Sequence, residues 1–208
     1  MQFSKILVTI FLIGMFVYGF YEQQQPKPSS LSRVSTGVQE VVLSADTKYA
    51  LDSPVSKDRC VINGALPDHE CTPGAIFPDA TKDIICVPGY TAKVRNVSAS
   101  TKKKIYTAYG LAYPQVTGTY EADHLIPLEL GGSNEIANLF PEAGSPTPGF
   151  HEKDLVENYL HQEVCAGRIN LSSAQIQIAN DWLAVYNELK PEQIKELRGQ
   201  FSSWTEKN

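Results

Sequence analysis

The chain has 208 residues, of which 42% are apolar and 20% charged, and its formal net charge is −5. This composition is ordinary for a globular protein and excludes a chain that is disordered throughout. The acidic balance argues against a protein that coats nucleic acid, because phosphate binding depends on clustered lysine and arginine. A local basic patch remains possible in the run 93–104, which carries Lys93, Arg95, Lys102, Lys103 and Lys104 without an acidic residue. The same lysines are equally compatible with a solvated helix face.

Residues 1–21 have the features of a targeting segment. A positively charged start is followed by an almost unbroken apolar run over 6–20. The run lies between the core of a signal peptide and the shortest membrane span, which needs about 17 residues. The small-residue triplet 17–19 is a weak cleavage site, so a cleaved signal peptide and a retained membrane anchor both remain open. A lysine before the run and a glutamate after it favour an exported domain, either secreted or anchored outside the cytoplasm.

Residues 22–57 are predicted to be a flexible linker. The sequence QQQPKPSS in this segment cannot bury apolar area, although 38–43 could form a short strand. The folded domain is predicted over 58–208, with its core at 113–165. At about 150 residues it is long enough to bury roughly two thirds of its surface.

The four cysteines (Cys60, Cys71, Cys86 and Cys165) include no Cys-x-x-Cys pair. This spacing does not fit a zinc knuckle or a thioredoxin-like motif. In an exported chain they would form two disulfides, and in a cytosolic chain they would be free thiols. Of the three possible connectivities we favour Cys60–Cys71, which closes a local loop, and Cys86–Cys165, which ties the front of the domain to its helical end.

The first half of the domain contains short predicted elements. Thr81 is expected to cap a helical turn that runs through Ile85, and residues 90–97 are expected to be extended. Ser98 or Ser100 should cap a helix that ends at Gly110, and residues 113–120 are β-like.

The second half is predicted to be helical. One helix spans 151–164 and ends before Gly167, a second is capped by Ser172 and runs to about Leu189, and a third begins at Pro191. Because strand-like and helical patterns are segregated along the chain, the expected fold class is α+β, stapled by disulfides.

The run 122–132 (ADHLIPLELGG) carries the densest chemistry in the chain, and it is followed by 138–141 (NLFP) and by 151–153 (HEK). An Asp-His pair precedes a Gly-Gly turn, which predicts a hairpin that leads into a helix. Adjacent side chains on a regular strand point to opposite faces, so Asp123 and His124 can serve one site only if the strand ends or bends there.

These three runs resemble the ββα-metal core of the HNH endonuclease family, over residues 120–154, as found in bacterial and phage HNH-like proteins. The resemblance implies a ββα-metal core with additional packed helices. It implies that His124 is the general base and that Asp123 and His151 bind one divalent ion, which could be Mg²⁺, Mn²⁺, Ni²⁺ or Zn²⁺. It also implies that Asn138 belongs to the catalytic set and holds the loop that bears His124.

The sequence departs from the family in two places. Many members carry paired cysteines around the last histidine that bind a structural zinc, and none occurs here. The connection 140–151 is also long and rich in proline and glycine. Disulfides could replace the missing zinc as staples.

The positions of other polar residues also suggest roles for them. Arg95, Lys153 and Lys102 are candidate phosphate contacts, with a surface salt bridge as the alternative for the first two. Glu129 is expected to point to solvent or to pair with a lysine. Asn134 is expected to be a turn residue that could replace Asn138 if the loop is shifted.

Two functions follow from these residues. The first is an exported, metal-dependent endonuclease that hydrolyses phosphodiester bonds of nucleic acid, with DNA as the expected substrate. The second is a non-catalytic, surface-tethered binding domain that retains an HNH-like frame. The motif favours the first function, and the acidic charge favours the second.

Overall fold

The computed structural model of the protein describes Pro54 and residues 56–205, all within the unit Ala45–Asn208. The predicted targeting segment 1–21 lies outside the described residues, as do nearly all of the linker 22–57 and the strand predicted at 38–43. No described helix is long and apolar enough to cross a membrane.

The described part is a mixed α+β fold, in agreement with the predicted class. Its helices in chain order are α1 (Lys82–Ile85), α2 (Tyr90–Val94), α3 (Ala99–Ala108), α4 (Phe150–Cys165), α5 (Leu171–Glu188) and α6 (Pro191–Thr205). Two strands, β1 (Tyr120–His124) and β2 (Leu139–Ala143), and two 3₁₀ turns, Leu128–Leu130 and Ile136–Asn138, lie between α3 and α4.

The strands pair antiparallel and are followed directly by α4. Asp123 lies opposite Phe140, and His124 lies opposite Leu139 at the end of β1. The strand therefore ends at the Asp-His pair, as a shared site would require. Asn138 is the last residue of its 3₁₀ turn and immediately precedes β2.

Two predicted extended segments are wrong. Residues 90–94 form α2, because Gly89 takes a left-handed φ of 80° that starts the helix after the Pro-Gly turn. Residues 113–119 do not form part of β1; this segment turns, with Thr119 N–H donating to Val116 O at 3.1 Å.

The predicted helices are confirmed, but two of the expected caps are not. Thr81 precedes α1 without a side-chain capping hydrogen bond. Ser98 caps α3 by accepting from the Thr101 N–H. The cap of α5 is Asn170, which accepts from the Ser173 N–H, whereas Ser172 lies in the first turn and donates to Asn170. Within α5 the helix breaks at Asp181 (φ −164°, ψ 89°), whose carboxylate accepts from Ala184 N–H and so caps the second half.

The hydrophobic core lies between the sheet and the two long helices. Phe140 from β2, Val156 from α4 and Ile178 and Trp182 from α5 are all fully buried in one cluster. The indole N–H of Trp182 donates to Ala65 O at 3.2 Å, so the residue also holds the N-terminal loop of the domain. This packing fixes the face of α4 that meets the sheet.

The favoured disulfide pairing is confirmed. Cys60 bonds to Cys71, and Cys86 bonds to Cys165, so that no cysteine is free. The second bond joins the end of α1 to the end of α4. Paired cysteines indicate that the domain folds in an oxidising, extracytoplasmic environment.

Candidate active site

Asn138 holds the loop that follows β1. Its side chain is fully buried, and its Oδ1 accepts from the N–H groups of Ile126 at 2.9 Å and Ala75 at 3.3 Å. Its Nδ2 donates to the carbonyls of Ile126 and Ser133, both at 2.9 Å. One amide group thus satisfies four backbone groups, which fixes the shape of the loop after His124.

The Gly-Gly turn lies against this loop. A Cβ at Gly132 would lie 1.7 Å from Ile126 O, and Gly131 has a φ of 78°. Only glycine fits both positions, so the turn brings residues 133–138 back against the end of β1.

His124 is a buried imidazole at the end of β1. Its side chain is 2% exposed, and its Nε2 lies 3.2 Å from Asn134 Oδ1. Burial lowers the pKa of His124, although Asp123 and the contact with Asn134 act in the opposite direction. A neutral imidazole at physiological pH is the form that can accept a proton.

Lys153 is not at the surface, which corrects its prediction as a phosphate contact. The side chain is fully buried, and Nζ donates to Asp123 Oδ2 and to His124 O, both at 2.7 Å. A third bond goes to the carboxylate of Glu157, one helical turn further along α4. The three hydrogens of the ammonium are therefore all used inside the protein.

Charge pairing with Lys153 governs the acidity of Asp123. Burial disfavours the carboxylate, but the ammonium of Lys153 outweighs it and lowers the pKa of Asp123 to about 2. Burial would likewise lower the pKa of Lys153, yet Asp123 and Glu157 raise it well above its ordinary value. The two groups form an ion pair throughout the physiological pH range.

Three further carboxyl groups surround this pair. Burial raises the pKa of Glu142 well above its ordinary value and the pKa values of Glu129 and Glu157 to about 8. Both oxygens of Glu142 and one of Glu129 are buried without a hydrogen-bond partner among the described residues. Glu129 is partly exposed, so it keeps some contact with solvent as expected, but it forms no ion pair with a lysine among the described residues. One lysine cannot neutralise this many carboxylates, and part of the cluster stays protonated.

His151 lies in the first turn of α4 and is exposed. Its ring packs on Phe150 with the centroids 4.4 Å apart, and its charge influences Glu121 on β1. Glu121 and Asp123 share one face of β1, while His151 and Asp154 share one face of α4. Desolvation and the carboxylates of Asp123 and Glu121 raise the pKa of Asp154 to about 7, although this side chain keeps contact with solvent.

The basic residues Arg95 and Lys102 lie beside the same face. Desolvation and Asp123 raise the pKa of Glu121, and Lys102 and Arg95 act against them. Arg95 is exposed at the end of α2, and Lys102 is partly buried on α3. Both positions could be reached by an anionic substrate.

Ligand atoms for a metal ion are not clustered around Asp123. In the described part of the chain, three His, Cys, Asp or Glu ligand atoms lie within 4.8 Å of one another at Cys86, His161 and Cys165. That geometry could hold a metal ion, but both cysteines are in a disulfide and offer no thiolate. Asp123 and His151 do not belong to any such group in the described residues.

Several members of the site were not assigned from the sequence. Glu157 lies four residues after Lys153, a spacing that signals a helical ion pair. Glu121 lies two residues before Asp123, which places both on one face of a strand. No local signal marks Glu142, whose position depends on the register of β2.

Comparison with known proteins adds no relative. No protein-family profile matches the chain, and no curated protein or solved structure matches it.

Proposed function

We propose that the chain is a metal-dependent endonuclease of the HNH type that hydrolyses phosphodiester bonds, in DNA, outside the cytoplasm. The observation that carries this proposal is the buried imidazole of His124, adjacent to the carboxylate of Asp123 at the end of β1. Burial lowers the pKa of His124, which favours the unprotonated form that a general base needs.

The donor set fits a hard or borderline divalent ion. Asp123 accepts from Lys153 through Oδ2 and is partly exposed, with 23% of its side chain open to solvent. A carboxylate oxygen and the imidazole of His151 suit Mg²⁺, Mn²⁺, Ni²⁺ or Zn²⁺. Such an ion would supply Lewis-acid stabilisation of the charge that builds on the phosphate.

The acidic neighbours support a cation at this place. The carboxylates of Glu121 and Asp154 have raised pKa values, in part because of repulsion from Asp123. A bound cation would relieve that repulsion.

In this scheme His124 takes a proton from the attacking water, and Asn138 keeps its loop in place through four hydrogen bonds. Arg95 and Lys102 bind phosphates of the substrate on the same side of the sheet. The overall charge of −5 limits binding away from this patch, and two phosphate contacts give a shallow salt dependence, with a slope of about −2 in log affinity against log salt.

A plasmid-nicking assay tests the proposal. Full-length protein is incubated with supercoiled DNA and with Mg²⁺, Mn²⁺, Ni²⁺ or Zn²⁺ in turn, with and without EDTA. Nicking should require one of the ions and should fall by at least about 100-fold in His124→Ala, the typical contribution of a general base. His161→Ala is the matched control, since His161 lies at the other end of α4 beside the Cys86–Cys165 disulfide.

The second candidate is a non-catalytic, tethered binding domain. It is favoured by the ion pair of Lys153 with Asp123, which neutralises the predicted ligand without a metal. Absence of nicking with all four ions, or equal nicking by wild type and His124→Ala, would support this candidate and overturn the enzyme. Both candidate functions include secretion of the domain or its anchoring to the membrane through residues 6–20.

A further inference from the structure

The side-chain amide of Asn134 has one orientation that satisfies its neighbours. The carbonyl oxygen of Val94, which can only accept, lies 2.8 Å from Nδ2. The N–H of Asn96, which can only donate, lies 3.2 Å from Oδ1. Exchanging the two ends of the amide would set acceptor against acceptor and donor against donor. Asn134 therefore turns its oxygen towards His124.

This orientation decides which nitrogen of His124 carries the hydrogen. Asn134 Oδ1 lies 3.2 Å from His124 Nε2, and an amide oxygen only accepts. The hydrogen of the neutral ring must then be on Nε2, which leaves the lone pair on Nδ1. Within the described residues, no hydrogen bond involves Nδ1.

We infer that Asn134 is a positioning residue that locks His124 in the Nε2–H tautomer and leaves Nδ1 as the nitrogen that receives the proton from water. The identity of the proton acceptor rests on the proposed endonuclease function, whereas the tautomer does not. In the reaction the water O–H bond breaks and its proton binds the lone pair of Nδ1. The water oxygen bonds to phosphorus as the P–O3′ bond breaks, and the 3′ oxygen takes a proton from solvent.

The backbone groups that orient Asn134 lie in a different part of the chain from His124. Asn134 is held by Val94, the last residue of α2, and by Asn96 in the connection to α3, and these two residues flank Arg95. The same connection thus orients the base through Asn134 and carries a candidate phosphate contact. A change in the α2–α3 connection should affect both the tautomer and substrate binding.

Nitrogen-15 NMR of the histidine rings tests the tautomer directly. Full-length protein labelled at histidine is measured at pH 8 without metal, and the His124 signals are identified by their loss in His124→Ala. Wild type should show a protonated Nε2 and an unprotonated Nδ1. Asn134→Asp should keep the hydrogen on Nε2, because one carboxylate oxygen still accepts from it, although the other oxygen loses the hydrogen bond to Val94 O. Asn134→Ala should move the tautomer ratio towards Nδ1–H by about two- to ten-fold, the equilibrium effect of one hydrogen bond.

A protonated Nδ1 in wild type, or an unchanged ratio in Asn134→Ala, would overturn the inference. The His161 signals and the thermal melting curve report whether each variant is folded. If Asn134→Ala does not fold, wild type and Asn134→Asp still decide the tautomer.

Nicking rates separate this inference from the proposed function. The Nε2–H tautomer together with metal-dependent nicking, in which Asn134→Ala lowers kcat and leaves KM unchanged, supports both. The Nε2–H tautomer without nicking in any metal overturns the endonuclease and the role of Nδ1 in it. The inference that Asn134 fixes the tautomer of His124 then still stands. Nicking by a protein whose His124 carries the Nδ1–H tautomer overturns the tautomer assignment alone.

Discussion

Lys153 Nζ lies 2.7 Å from Asp123 Oδ2, so the carboxylate predicted to bind a metal ion already has a buried counter-ion within the chain. The same ammonium bonds the carbonyl of His124 and the carboxylate of Glu157. Lys153 thus connects α4 to the two residues on which the proposed chemistry depends.

Replacing Lys153 by methionine should destabilise the domain strongly. The substitution leaves the partly buried carboxylate of Asp123 without its counter-ion and Glu157 without its donor, and breaking a buried pair costs up to about 3–5 kcal/mol. Urea unfolding at pH 7 measures the loss. Lys102→Met, at a partly exposed lysine on α3, should change the free energy of unfolding by no more than about 0.5 kcal/mol. Equal stability of the two variants would contradict the buried ion pair.

Asn138→Ala should cost about 2–4 kcal/mol of unfolding free energy, because it removes four hydrogen bonds and leaves buried backbone groups unpaired. The exposed Asn187 on α5 provides the comparison, and Asn187→Ala should be neutral or slightly stabilising. Urea denaturation of both variants checks the difference. Should Asn138→Ala prove as stable as wild type, the loop must be held by other contacts.

Stability should fall as the pH rises from about 4.5 to about 8, and Glu129 should account for part of that fall. Its pKa is raised from 4.5 to about 8 in the folded state, chiefly by burial. The folded state therefore binds the proton more tightly than the unfolded state, and the stabilisation is present below pH 4.5 and is lost towards pH 8. In Glu129→Gln the slope between these pH values should be smaller, as measured by urea unfolding at several pH values. Glu135→Gln, at an exposed position, should keep the wild-type slope.

The two disulfides should contribute unequally. Cys86–Cys165 spans 79 residues and Cys60–Cys71 spans 11, so loop-closure entropy gives about 4.5 and about 3 kcal/mol respectively. Removing each pair as a double serine variant and comparing thermal unfolding tests the order. A larger loss from the Cys60/Cys71 variant would show that contacts within the short loop outweigh chain entropy.

Local sequence patterns predicted the secondary structure around the site well. The caps and apolar spacing identified α3 and the C-terminal helices, and the run 122–132 identified the strand end and the tight turn. The segment 90–94 was predicted wrongly because its threonine and valine suggest a strand, while the preceding Pro-Gly turn starts a helix. Here the geometry of the turn outweighed side-chain propensity.

The electrostatics of the site could not be predicted in the same way. A lysine in a helix is normally exposed, so Lys153 was expected at the surface. It is buried because β1, β2 and α4 each bring a carboxyl group to the same point, which only the tertiary fold determines. Asn134 was assigned to a turn for the same reason, since its partner Val94 lies 40 residues earlier.

A cation that belongs to the polypeptide cannot dissociate from it. Small domains built on bound zinc unfold when a chelator removes the ion, whereas the ammonium of Lys153 keeps Asp123 neutralised whatever the ion supply. The domain should thus stay folded after chelation, with a melting temperature lowered only by the amount that ion binding adds. The chain could therefore cross a metal-poor compartment fully folded.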